Sequence, residues 1–161
     1  MMASTFTRPV TRRALHFAAA AALVLVAGTA WGEPRFSVSA DSTEVTDHRT
    51  GLVWQRCSAG QSYAAGTCTG SAATFTYEQA LLHARSQPGW RLPNVKELSS
   101  LVDETRSFPA VDPIFPQTTA NYFWTSSPLA GWTYYAWYVY FGYGGVSYNP
   151  RNNAYPVRLV R

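Results

Sequence analysis

The sequence predicts an α+β domain, with two short helices set among short antiparallel strands and long irregular connections. Three observations predict it. Tyr77, Ala80, Leu81 and Ala84 recur at helical spacing behind a capping threonine. Trp137, Val139 and Phe141 alternate with Tyr138 and Tyr140, the period of a strand. Pro109, Pro113 and Pro116 bar long regular elements from residues 103–119. Helices first and most short strands later favour α+β over an alternating α/β layout.

The elements follow in order along 161 residues. Residues 1–32 read as a cleavable export signal. Arg8, Arg12 and Arg13 form its basic start, Ala14 to Ala27 its apolar stretch, and Gly28, Ala30 and Gly32 offer small residues for cleavage. Thr11-Arg12-Arg13-Ala14-Leu15 also fits a twin-arginine signal, but the ordinary secretory reading is preferred. Residues 33–44 form a lead-in with one strand. Residues 45–57 are two extended pieces around the turn His48-Arg49-Thr50-Gly51. A first helix is expected over 76–86, where Thr76 caps and Gln79 completes the capping box. Pro88-Gly89 ends it. Leu92, ahead of a proline, is pushed to extended backbone. Asn94 and Glu97 then cap a second helix over 95–102, with Val95, Leu98 and Val102 inward. Strands are expected over 122–126, 136–141 and 146–148, with Tyr155 to Val160 closing the chain.

Charge and cysteine narrow the function. The chain has 13 Lys and Arg against 9 Asp and Glu. Three of the basic residues lie in the signal, so residues 33–161 keep ten against nine, a formal charge of +1. That balance argues against a nucleic-acid partner, which needs a clustered basic field. No later apolar stretch is long enough to cross a membrane. Cys57 and Cys68 allow one intramolecular pairing, and in an oxidising compartment a disulfide is the default. A periplasmic or secreted product is expected.

Four segments then stand out in order: Thr50-Gly51-Leu52-Val53-Trp54-Gln55, Trp90-Arg91-Leu92-Pro93-Asn94-Val95-Lys96-Glu97-Leu98, Tyr122-Phe123-Trp124-Thr125-Ser126-Ser127 and Val157-Arg158-Leu159-Val160-Arg161. Together they resemble the bacterial family named for the C-terminal domain of the Legionella collagen-like adhesin, over residues 45–161. The resemblance implies a C-type-lectin-like domain with two helices, a small twisted antiparallel sheet and neighbouring termini. Arg91-Leu92-Pro93 is also similar to the formylglycine-generating-enzyme branch of that fold. The naming adhesin binds sulfated glycosaminoglycans, an activity that a shared fold does not transfer. Neither the Glu-Pro-Asn or Gln-Pro-Asp motif of calcium-dependent lectins nor the late paired cysteines of the oxidising enzymes is present.

Candidate chemistry is sparse. Rings with polar tips stack on the apolar faces of sugars much as on each other. Trp132, Tyr134, Tyr135 and Tyr143, near glycines in loops, are the expected ligand contacts, whereas Trp124 and Trp137 are assigned to the core. Asp103, Glu104 and Asp112 suit calcium in number, but a solvated loop is the preferred reading. His48 and His83 have no nucleophile motif beside them. Arg91 is expected to anchor a carboxylate, Glu97 or Asp103, and Arg158 and Arg161 to contribute weakly to a sulfated-ligand patch. No cofactor, resident metal or catalytic residue is expected. The resulting expectation is an exported, non-enzymatic module that recognises a glycan or protein, possible as a homo-oligomer. Its alternatives are a structural subunit of an envelope or fimbria-like assembly and a degenerate formylglycine-generating-type enzyme.

Overall fold

The computed structural model describes residues 34–161; the expected export signal lies outside the described residues. Strands β1 (Phe36–Val38), β2 (Glu44–Asp47) and β3 (Leu52–Gln55) form an antiparallel sheet in the order β1-β2-β3. The β2–β3 turn forms where expected. Asp47 accepts through its carbonyl from the Gly51 amide at 2.8 Å and through its carboxylate from the Arg49 amide at 3.0 Å. Gly51 holds the left-handed backbone, φ +74°, that closes the turn. These three strands correspond to the lead-in strand and the two extended pieces expected ahead of the first helix; a further pair, not expected, also precedes it. The short, turn-flanked segments carry less periodic signal than a helix.

The Ser-, Gly- and Ala-rich segment between the two cysteines forms a hairpin. Strands β4 (Ser62–Ala64) and β5 (Thr67–Thr69) pair antiparallel with Tyr63 opposite Cys68. Ala65 and Gly66, both at positive φ, supply the two-residue turn that matches strand twist. Cys57 is bonded to Cys68.

Helix α1 (Tyr77–Arg85) carries the expected capping box between Thr76 and Gln79 and buries Tyr77, Ala80 and Ala84. Helix α2 (Val95–Ser99) is capped reciprocally by Asn94 and Glu97 but ends three residues early. Past Ser99 the backbone tightens: the Leu101 and Val102 amides donate three residues back, to Leu98 and Ser99. Such a turn rotates the following side chains relative to an α-helix. Leu98 and Leu101 are therefore buried, while Val95 and Val102 are only half-buried.

Strands β6 (Tyr122–Pro128), β7 (Tyr135–Tyr140) and β8 (Gly145–Pro150) form the second three-stranded sheet, in the order β6-β7-β8. Alternation along β6 and β7 separates two cores. Phe123, Val139 and Phe141 join Trp54, Leu98, Leu101 and Phe115 in one. Trp124 and Ala136 join Tyr77, Ala80, Leu92 and Leu159 in the other. The closing segment is not the expected strand: it makes isolated bridges, Tyr155 to Phe75 and Val160 to both Trp54 and Arg91. Pro156 has no N–H, so a ladder cannot run through it. The class is α+β, with strands outweighing helices. No helix among the described residues is long and apolar enough to cross a membrane.

Two carboxylates, Glu97 half-buried and Asp47 fully buried, link this fold to pH. Glu97 accepts from both Arg91 guanidinium nitrogens at 2.7 Å, which holds its carboxyl below the ordinary range. Burial pushes Asp47 up, but hydrogen bonds from Arg35 and the Arg49 amide outweigh it and leave a net downward shift. A carboxylate with a depressed native pKa stabilises the fold above its unfolded value and loses that contribution as pH falls through the native one. We therefore expect denaturant midpoints to be flat around neutral pH and to drop on acidification below pH ~4, the ordinary carboxylate range. In Glu97→Gln the drop becomes shallower.

Candidate functional site

The β6–β7 connection and the sheet beneath it build one continuous exposed feature. The Leu129 amide donates to the Tyr135 carbonyl at 3.1 Å, the Trp132 amide to Leu129 at 3.2 Å and the Tyr135 amide to Trp132 at 3.0 Å. Gly131, at φ +79°, permits the reversal. The loop is thereby tied to the head of β7, and the Arg151 amide holds the Tyr134 carbonyl at 3.0 Å from the end of β8. Trp132 is 64% exposed and Tyr134 53%.

From this loop the rings run across the sheet. Trp132 and Tyr134 each meet Tyr135 edge to face, at centroid distances of 6.3 and 5.6 Å. Tyr135 meets Tyr148 at 5.7 Å, and Tyr148 meets Trp137 at 5.6 Å. The register places Tyr148 opposite Trp137 and Pro150 opposite Tyr135, so the rings share the face that carries Val139 and Phe141 further along β7. Helix α2 closes that face only towards Val139. At its margin Val95, Lys96, Ser99, Trp137 and Val146 line a shallow depression. The result is a ribbed row of five rings, each perpendicular to its neighbours, with the Lys96 side chain at one end.

Three of the four expected contact residues therefore come together: Trp132, Tyr134 and Tyr135. Tyr143 does not. It lies in the β7–β8 turn, six strand residues away, or about 20 Å. It packs on Tyr140 in a second aromatic group, Tyr122, Tyr138, Tyr140 and Tyr155, on the opposite face. Two members of the row were missed. Trp137 was assigned to the core and is half-buried, at the shallow depression between α2 and the sheet. Tyr148 is 46% exposed, four residues past the turn glycine Gly144 on an edge strand. That strand-edge position was the signal that could have singled it out. Trp124 is buried as expected, and its Nε1 donates to the Phe75 carbonyl at 2.9 Å.

Other candidates separate clearly. Arg158 is fully buried, and so cannot belong to a surface patch for sulfated ligands. Arg161 is paired with Glu44 at 2.6 Å and lies over the Trp90 ring. Arg91 takes Glu97 rather than Asp103, whose carboxylate is engaged by Thr105 and Arg106. Among the described residues no group of three or more His, Cys, Asp or Glu could hold a metal ion. His83 stacks on Phe75 at 4.7 Å. His48 Nε2 and Ser37 Oγ lie 2.8 Å apart on the exposed β1–β2 surface, and no carboxylate hydrogen-bonds the imidazole among the described residues. A polar groove lined by Glu44, Gln55, Gln61, His83 and Trp90 is the other concave feature near these groups.

The four ordered segments singled out in the sequence meet elsewhere. Val160 exchanges backbone bonds with Arg91 at 2.9 Å, and Arg161 exchanges them with Val53 at 2.9 Å. Leu159 accepts from Gln55 at 3.0 Å, and the Ser126 amide donates to Pro93 at 2.7 Å. These segments are the internal spine of the fold, and the aromatic row lies outside them. Such a spine defines a small disulfide-pinned α+β module that displays its exposed rings on a loop and an edge strand. The chain belongs to the Lcl C-terminal domain family, whose model matches residues 43–161. No curated protein matches the chain.

Proposed function

We propose that this chain is an exported, adhesin-related binding module that takes a glycan along the row Trp132–Tyr134–Tyr135–Tyr148–Trp137. The observation that carries this reading is that row. Three of its rings, Trp132, Tyr134 and Tyr148, are exposed, and each packs on Tyr135. Pyranose rings present apolar C–H faces, and Trp and Tyr combine a large apolar body with a polar tip at little conformational cost. The row includes no carboxylate or imidazole, which suits recognition without a reaction. The disulfide supports an oxidising compartment, periplasmic or extracellular. Two helices and small antiparallel sheets support the C-type-lectin-like reading of the fold.

The test is a glycan array on the purified domain, repeated with Trp132→Ala and Tyr135→Ala. Binding is expected for the parent and should fall tenfold or more in each variant, about 1.4 kcal/mol or greater for a central aromatic anchor. Tyr143→Ala should bind like the parent. Silence of the parent across the whole array would overturn the reading, as would unchanged binding in both row variants.

A further inference from the structure

The outer edge of β8 is an unprotected template for strand pairing. Every second residue of an antiparallel strand turns its amide and carbonyl away from its partner. β8 pairs with β7 alone, and no other backbone among the described residues bonds to Gly145–Asn149. The opposite edge of the same sheet is treated differently. There the Trp124 amide donates to the Pro156 carbonyl at 3.1 Å and the Ser126 amide to the Pro93 carbonyl at 2.7 Å, and the strand carries an irregularity before Pro128. Exposed edges are normally blunted by charge, proline, a bulge or brevity. β8 pairs with β7 in unbroken register over six residues, has no charged side chain and has proline only at its last position.

We propose that this edge pairs with a second copy of the chain, antiparallel about a twofold axis at Ser147. Self-complementarity favours that occupant. In this register Ser147 faces Ser147, Val146 faces Tyr148 and Gly145 faces Asn149, so each larger side chain meets a smaller one. An aromatic ring opposite a β-branched residue is a favourable cross-strand pair. Val146 and Tyr148 are 43% and 46% exposed on the row face, and the pairing sets the edge of each Tyr148 ring against Val146 of the second copy while leaving the ring in the row. Pro150 falls opposite Gly144 and ends the overlap for want of an N–H. Residues 33–161 carry ten basic and nine acidic side chains, so no strong net field opposes association. Because β6 is covered, the contact closes on itself as a dimer and does not propagate. Each protomer then contributes its row to one continuous face, joined through the two copies of Tyr148, and a polymeric ligand can engage both. A five-residue overlap is a small interface, so the dimer depends on concentration.

Sedimentation of the purified domain from micromolar to millimolar concentration tests this. A monomer-to-dimer transition is expected. Ser147→Lys places two cations face to face across the axis and should leave a folded monomer, as judged by near-ultraviolet circular dichroism. Ser147→Cys should form an intermolecular disulfide under mild oxidation, because directly opposed Cβ atoms lie about 4.5–5.5 Å apart. Thr133→Cys, away from the axis, should not. The pair of cysteine variants decides the matter if the lysine variant fails to fold. The proposal is overturned by a parent that stays monomeric throughout, by a dimer indifferent to Ser147→Lys, or by equal cross-linking at positions 147 and 133. Glycan binding by the monomer is a separate readout, so either idea can fail alone.

Discussion

Arg158→Ala lowers the stability of the domain by on the order of 3–5 kcal/mol, the largest loss we expect from a single substitution. The side chain is fully buried and ties together segments distant in sequence. Nη1 donates to the carbonyls of Gln55 and Arg56 at 3.2 and 2.6 Å, and Nη2 donates to Thr118 Oγ1 at 2.7 Å and approaches Ser58 Oγ at 3.4 Å. The guanidinium carbon lies 4.6 Å from the Phe115 ring centroid. No carboxylate pairs with it among the described residues; a cluster of oxygens and an aromatic face stand in for a counter-ion. Removing it strands those oxygens, each at a cost of about 1–3 kcal/mol, and opens a cavity under Phe115. Arg158→Met restores volume but not donors, so it should recover only part of the loss. Arg158→Lys should also fall short, because a point ammonium cannot reproduce the planar fork. Urea midpoints at constant m-value measure all three.

Burial pushes the Arg158 guanidinium down to about 9, so it stays charged at neutral pH in both folded and unfolded chains. Its desolvation is therefore a fixed cost around neutrality. Between about 9 and the higher ordinary arginine range the unfolded chain holds more protons. In that window alone this group makes stability rise with pH.

Replacing Cys57 and Cys68 together by alanine should cost about 3 kcal/mol in the chain-entropy account, given the eleven-residue separation. The loss is specific in place. Cys57 lies between Arg56 and Ser58, both of which contact Arg158. The bond thus pins the same short segment that the buried arginine holds. Residues sharing one network do not lose stability independently. With the disulfide absent, the 55–58 segment is freer and the arginine loses part of its cage. We expect the Arg158→Ala effect measured in the cysteine-free background to be smaller than in the parent, a coupling readable from a double-mutant cycle in urea. Strict additivity would show that the two staples act on separate parts of the fold.

The scaffold was more legible in the sequence than the site, and particular residues show why. Thr76 with Gln79 and Asn94 with Glu97 mark helix starts because capping is local chemistry, complete within four residues. The β2–β3 turn is legible for the same reason. The end of α2 was not, since its tightening at Leu101 answers to core packing that no local pattern encodes. The hairpin between the cysteines was not legible because Ser, Gly and Ala dominate it and carry little strand preference. Arg158 read as a surface cation because charge is normally exposed. Its burial depends on oxygens gathered from residues 55–58 and 118. Trp132, Tyr134 and Tyr135 were legible as a cluster because they adjoin a glycine turn. Tyr148 and Trp137 join them only through strand register, and Tyr143 is separated by the same register.

The central claim is that ligand engages this row. The most direct test is nuclear magnetic resonance of the labelled domain during titration with a glycan identified on the array. The account predicts progressive shifts in the ring signals of Trp132, Tyr134, Tyr135, Trp137 and Tyr148, with Tyr122, Tyr138 and Tyr143 unmoved. Shifts centred on the opposite-face tyrosines or on the polar groove at Trp90, with the row silent, would contradict it.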